Sequence, residues 1–162
     1  MARKILLDQL TGQARSRHEL STRLAKKGVP GDLAERLLDR FEEVGLVDDE
    51  AFARAWVHSR QAGKGLARRA LAVELRRKGI EDEVVREAVA EVEPEDEVEA
   101  ARLLVRRKLR AVSGVDRNTA VRRLTGVLAR KGYPASVCYQ VVRAELDRIG
   151  QDTTDLDQAF DG

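Results

Sequence analysis

The sequence predicts an all-α protein built as a tandem array of three three-helix modules, elongated and curved. Three observations carry that expectation. Apolar residues recur at three- and four-residue spacing, and even the valine-rich stretches keep that period rather than the alternation of a strand. One stretch, Gly63 to Val92, is repeated on both sides of itself. Leu71, Leu75, Gly79, Ile80, Val84, Ala88 and Val89 correspond to Leu20, Leu24, Gly28, Val29, Leu33, Leu37 and Leu38, 51 residues upstream, and to Leu124, Leu128, Gly132, Tyr133, Val137, Val141 and Val142, 53 residues downstream. Charged residues make up 36% of the chain and aromatics only 4%, which suits short helices with a thin apolar stripe under a wide charged face. Leu-x-x-x-Leu followed by Gly ends many helices, so a single match carries no weight. Three matches, each followed by a second apolar-periodic segment, mark repetition, and modules of about 50 residues bury enough surface only by leaning on neighbours.

Each helix can be justified in turn. Lys4 to Thr11 forms the first and stops near Gly12. Ser16-Arg17-His18-Glu19 is a capping box that opens the second, closed by Gly28. Pro30-Gly31 turns the chain, Asp32-Leu33-Ala34-Glu35 is a cap-like opening, and Leu33, Leu37, Phe41 and Val44 form the stripe of the third. Asp48-Asp49-Glu50 starts the fourth at the positive end of its dipole, with Phe52, Ala55, Trp56 and Ser59 as its stripe, and Gly63-Lys64-Gly65 breaks it. Two helices follow around Lys78-Gly79-Ile80. Val92-Glu93-Pro94 ends the middle module, because a residue before proline avoids the helical region. The next helix runs to about Val112 on Val98, Ala101, Val105, Leu109 and Val112. Asp116 caps the eighth, and Tyr133-Pro134 turns into the ninth, which is expected to end at Gly150. The modules so defined are 1–47, 48–93 and 94–150, followed by a flexible acidic tail, 151–162.

The net charge of +2 argues against a simple polybasic binder, but the charges are segregated. From Arg54 to Lys78 eight basic residues face the single acid Glu74, and from Arg102 to Lys131 ten face the single acid Asp116. The acids gather at Glu91 to Glu99 and Asp152 to Asp161. Such segregation makes a local field even where the total is small. The bland reading is that each arginine merely solvates its helix. Cys138, alone in an apolar helical stretch, reads as a small core residue, and without a possible disulfide the chain fits a reducing cytoplasm. The N-terminus lacks the apolar run of a signal peptide, and no segment approaches transmembrane length.

No catalytic constellation is present. His18 and His58 stand alone, there is no Cys-x-x-Cys or His-Glu-x-x-His for a metal, and Asp48-Asp49-Glu50 is explained by a helix start. Gly63-Lys64-Gly65 lacks the spacing of a phosphate-binding loop and reads as a turn. No cofactor is expected. What remains is a cationic surface for a polyanion, with candidates Arg54, Arg60, Lys64, Arg68, Arg69, Arg76, Arg77, Lys78, Arg106, Arg107, Arg122 and Arg123. Arg and Lys rows contact phosphates or acidic protein surfaces, and the scarcity of aromatics weighs against base reading.

Leu46-Val47-Asp48-Asp49-Glu50-Ala51-Phe52-Ala53, Trp56-Val57, Arg60, Gly63-Lys64 and Glu74-Leu75-Arg76-Arg77-Lys78-Gly79-Ile80 together resemble the RecX family of regulatory proteins. The resemblance runs from the first helix through Arg130-Lys131-Gly132-Tyr133 and leaves out the tail. It implies tandem three-helix units and a non-enzymatic modulator of RecA, docked in the groove of the RecA filament on single-stranded DNA. It further implies limited filament growth and suppressed ATPase, strand-exchange and SOS coprotease activities. Phe52 and Trp56 at the matched positions read as structural. On this reading the protein is a cytoplasmic monomer with no membrane partner, and its basic face can also reach DNA phosphates. Three rivals stand beside it: a stand-alone DNA-binding protein using helix-turn-helix-like pairs, a structural adaptor whose arginines only solvate, and, last, an enzyme.

Overall fold

The computed structural model describes the backbone of residues 1–160 and the side chains of 1–61 and 65–150. Among the described residues there are nine α-helices and no strand: α1 Ala2–Gly12, α2 Arg17–Lys26, α3 Gly31–Glu43, α4 Asp49–Lys64, α5 Arg68–Arg77, α6 Asp82–Ala90, α7 Pro94–Lys108, α8 Arg117–Arg130 and α9 Ala135–Phe160. A 3₁₀ turn over Leu109–Val112 continues α7.

The expected caps at Ser16 and Asp116 form. The Ser16 hydroxyl accepts from the Glu19 amide while the Glu19 carboxylate accepts from the Ser16 amide, both at 3.2 Å, and Asp116 accepts from the Thr119 amide at 3.1 Å. Asp32 does not cap α3, which begins at Gly31 with Pro30 before it, so Asp32 sits in the first turn and serves the dipole instead. The buried face of α3 is Ala34, Leu38 and Phe41, one residue round from the expected stripe, and Leu33 and Val44 are exposed. In α4 Phe52, Ala53 and Val57 are buried, whereas Ala55 and Ser59 are exposed. A 100° step leaves two adjacent readings of a short stripe nearly equal, and packing chooses between them. The helix also runs through Gly63 to Lys64 before Gly65 ends it, and α9 continues past Gly150.

Two compact units divide the chain. The first comprises Met1–Ser59 and Leu71–Glu91, the second Arg60–Ala70 and Val92–Gly162. In the first, α1 to α3 enclose Leu6, Leu20, Leu24, Ala34, Leu38, Phe41 and Val47. In the second, α7, α8 and α9 enclose Ala101, Val105, Leu124, Leu128, Cys138, Val141 and Val142 together with Tyr133 and Ala67.

The repeated Leu-Gly signature is the C-terminal cap of α2, α5 and α8. The amides of Val29, Ile80 and Tyr133 each return to a carbonyl five residues back, at Leu24, Leu75 and Leu128, and each preceding glycine has positive φ. Two of these caps are also joints between modules. Inside the first unit, Gly79 (φ +76°) lies against His18 in the first turn of α2, and the Ser16 hydroxyl donates to the Lys78 carbonyl at 2.8 Å. Inside the second, Gly132 (φ +91°) lies against Ala70 in the first turn of α5, and the Ala67 amide donates to the Lys131 carbonyl at 3.0 Å. The repeat makes the same contact twice: Ser16 and Ala67 are equivalent positions, as are Lys78 and Lys131. Tyr133 reinforces the second joint through a 2.7 Å hydrogen bond to the Gly65 carbonyl.

A side chain at Gly79 would suffer twice, from backbone strain and from overlap with His18, whereas Gly28 has the same conformation (φ +78°) with nothing within 4 Å. Gly28→Ala should therefore cost only the left-handed strain, about 1 kcal/mol. Gly79→Ala should cost about 2–4 kcal/mol, strain and overpacking together. Urea-unfolding midpoints of the two variants check the difference, and equal shifts would refute the joint.

Candidate polyanion-binding surface

The twelve candidate cations divide into those the protein uses for itself and those it leaves to solvent. Arg68 Nε donates to Glu97 Oε2 at 2.5 Å, and Glu97 is buried. Arg76 Nε donates to Asp82 Oδ1 at 2.9 Å across the turn from α5 to α6. Lys78 Nζ reaches Glu19 Oε2 at 3.2 Å and stands 4.9 Å from the centre of the Trp56 ring, whose indole N–H donates to Glu74. Arg106 grips Glu145 with two bonds of 3.1 and 3.2 Å. Arg60 is half-buried and engaged in the protein's own interactions. The Lys64 side chain lies outside the described residues.

Arg54, Arg69, Arg77, Arg107, Arg122 and Arg123 are exposed and, among the described residues, make no ion pair. On α5 the buried Leu71, Ala72 and Leu75 lie opposite Arg69, Val73, Arg76 and Arg77, which the helical step gathers on one face. On α8 the buried Ala120, Leu124 and Leu128 lie opposite Arg122, Gly126, Ala129 and Arg130, with Arg123 at the edge. The charge is concentrated in the second unit, where sixteen Lys and Arg stand against eight Asp and Glu up to residue 150. The first unit is balanced, fourteen against sixteen. One of its clefts, about 500 Å³, is lined by Arg17 together with Glu42, Asp48, Asp49, Glu50 and Glu81 and would repel a polyanion. Among the described residues no cluster of His, Cys, Asp and Glu could hold a metal ion, and no helix is long and apolar enough to cross a membrane.

Sequence reasoning missed the acids that hold arginines in place. Glu97 is in line with Ala101 and Val105, and Glu145 with Val141 and Val142, so each is an acid on an apolar stripe. That mismatch is the signal for an internal ion pair. Arg17 is a third case: it bridges Glu35, Asp39 and Glu42 along α3 at 2.8–3.0 Å. Burial alone would raise the Glu145 carboxyl, but hydrogen bonds from Arg106 and Arg148, with their charges, outweigh it and hold it below the usual range. A depressed folded-state pKa contributes stability above the unfolded value, about 4.3. That contribution disappears as pH falls through the folded value. Glu145→Gln should cost about 1–3 kcal/mol at pH 7, because its arginines keep access to water. It should also flatten the loss of stability below about pH 4.3. Unfolding midpoints from pH 7 to pH 3 check both expectations.

The family models for the three successive RecX three-helix domains match residues 2–41, 48–89 and 95–142. The regulatory protein RecX of Streptomyces coelicolor is 52% identical over 160 residues, 98% of this chain and 85% of its own. That of Thermobifida fusca is 50% identical over 149 residues, 92% of this chain and 80% of its own. Among solved structures, RecX from Lactobacillus salivarius shares the fold with a TM-score of 0.83 at 19% identity, covering 90% of this chain and 94% of that one. A second RecX crystal structure gives 0.80 at 24% identity, over 88% and 70%. Three matched domains in chain order, joined by the repeated glycine contact, place this chain in the RecX family of regulatory proteins.

Proposed function

We propose that the chain is a negative modulator of RecA that binds in the groove of the RecA–DNA filament. There it limits filament extension and inhibits RecA's ATPase, strand-exchange and coprotease activities. The observation that carries this reading is the set of exposed arginines that make no ion pair among the described residues, Arg54, Arg69, Arg77, Arg107, Arg122 and Arg123, present on α4, α5, α7 and α8. A partner that is a polymer can be met by several modules at once, and holding one module raises the effective concentration of the next. Charge then steers the approach and makes binding weaken with salt. The alternative is a stand-alone DNA-binding protein using helix-turn-helix-like pairs. It draws on the tight glycine turns at Gly79 and Gly132, and it requires sequence preference on naked duplex.

A RecA ATPase assay on single-stranded DNA with substoichiometric protein tests the reading. The parent should slow hydrolysis. A variant carrying Arg69→Glu, Arg77→Glu, Arg107→Glu and Arg123→Glu should keep its helical circular dichroism. It should need about tenfold more protein for half-inhibition, or about 1.4 kcal/mol. Equal inhibition by that variant removes the contact face. A sequence-specific footprint on duplex DNA without RecA favours the alternative.

A further inference from the structure

Each module carries two adjacent cations at the same place, Lys26-Lys27, Arg77-Lys78 and Arg130-Lys131, and the structure separates them. Lys26, Arg77 and Arg130 are the last residues of α2, α5 and α8, and the lysine after each is the C-cap. The second cation serves the fold where a joint is made: Lys78 offers its carbonyl to Ser16 and its ammonium to Glu19, and Lys131 offers its carbonyl to Ala67. The first cation is exposed in all three modules and, among the described residues, makes no ion pair.

We infer that Lys26, Arg77 and Arg130 are direct contacts to the phosphodiester backbone of DNA, one from each module. The inference rests on the filament-regulator reading for its partner, the DNA that RecA coats. The company these residues keep favours phosphate over a protein surface. A protein interface has an apolar or aromatic centre, whereas phosphate contacts need charge and close approach. Arg130 is surrounded on its face by Arg122, Arg123, Gly126 and Ala129, and its guanidinium lies back over Gly126, within 3.4 Å of where a Cβ would stand. Lys26 lines a cleft of about 240 Å³ with Arg15, His18 and Arg23, and the one acid of that cleft, Glu19, is already paired with Lys78 and Arg15. One turn back from Arg77 on α5 stand Val73 and Glu74, and Glu74 accepts from the Trp56 indole. Of the neighbours on α2, α5 and α8 only His18, in the Lys26 cleft, carries a ring on which a base could stack, so the contact reads charge rather than sequence. A cation at a helix C-terminus also favours the helix dipole, and that use alone would change stability without changing binding.

Fluorescence anisotropy with a labelled 30-nucleotide single-stranded oligonucleotide, without RecA, over a salt series decides it. The variant K26E/R77E/R130E should bind at least tenfold more weakly than the parent. Its log–log salt slope should be shallower by about two to three, the value for three phosphates. The control K4E/R36E/R86E makes the same change in net charge at exposed residues elsewhere and should keep the parental slope. The inference is overturned if the triple variant keeps parental affinity and slope, if the control loses as much, or if the parent does not bind the oligonucleotide at low salt. RecA inhibition, measured on the same proteins, separates the two claims: inhibition by a parent that does not bind the oligonucleotide leaves the regulator reading standing and removes only the phosphate contacts.

Discussion

The fold depends on a close approach that only glycine allows. At Gly79 and at Gly132 the chain leaves a helix through the left-handed region and meets the first turn of another module's middle helix. The carbonyl just before the glycine is received by a donor at the start of that helix. Strain, packing and hydrogen bonding converge on one residue. A side chain there would displace His18 or the Ala70 backbone. An unreceived carbonyl would lose its partner at a buried helix end. The Ser16 hydroxyl joins two levels of structure, since one oxygen accepts from the Glu19 amide to cap α2 and donates to Lys78 to hold the next module. That double use explains why a serine side chain is fully buried.

Once the modules are joined, the distribution of arginines follows from what the fold consumes. Glu97 and Glu145 lie on apolar stripes, where an unpaired carboxylate would be costly, and arginines from α5 and from α7 and α9 neutralise them. Those arginines hold helices together and are a poor guide to a partner. Arg54, Arg69, Arg77, Arg107, Arg122 and Arg123 make no ion pair among the described residues, and removing one leaves no described buried acid unpaired. Net charge hides this division, because internal pairs and external cations enter it alike.

The repeat, the helix count, the capping box, the cap at Asp116 and the break at Pro94 could all be read from residue spacing, since each is a local signal decided within one or two turns. The faces of α3 and α4 could not, because neighbouring apolar residues such as Leu33 and Ala34 offer two stripes a single step apart and only the opposing helices choose. The candidate surface was half legible. The segregation of charge shows which helices carry the cations, but sorting Arg68 from Arg69, or Arg76 from Arg77, requires knowing where Glu97 and Asp82 lie. Lys26 and Arg130 are not among the candidate cations of the sequence, where the two members of Lys26-Lys27 and of Arg130-Lys131 look alike. The difference between the two members of a pair is a backbone matter, invisible until the joint is seen.

The third module lacks a free donor at the position where the first two make this joint. In α2 and α5 the residue at the receiving position precedes the helix, and the donor is the hydroxyl of Ser16 in one case and the amide of Ala67 in the other. The equivalent residue in the third module is Ala120, and there the helix begins one turn earlier, at Arg117 with Asp116 as its cap. The Ala120 amide already donates to the Asp116 carbonyl at 3.0 Å, so the donor that would receive a further module is used within α8. At the other end Gly28 keeps the backbone conformation of a joint and meets nothing. An added turn and its aspartate cap thus take up, within the third module, the donor position that the first two modules use between modules.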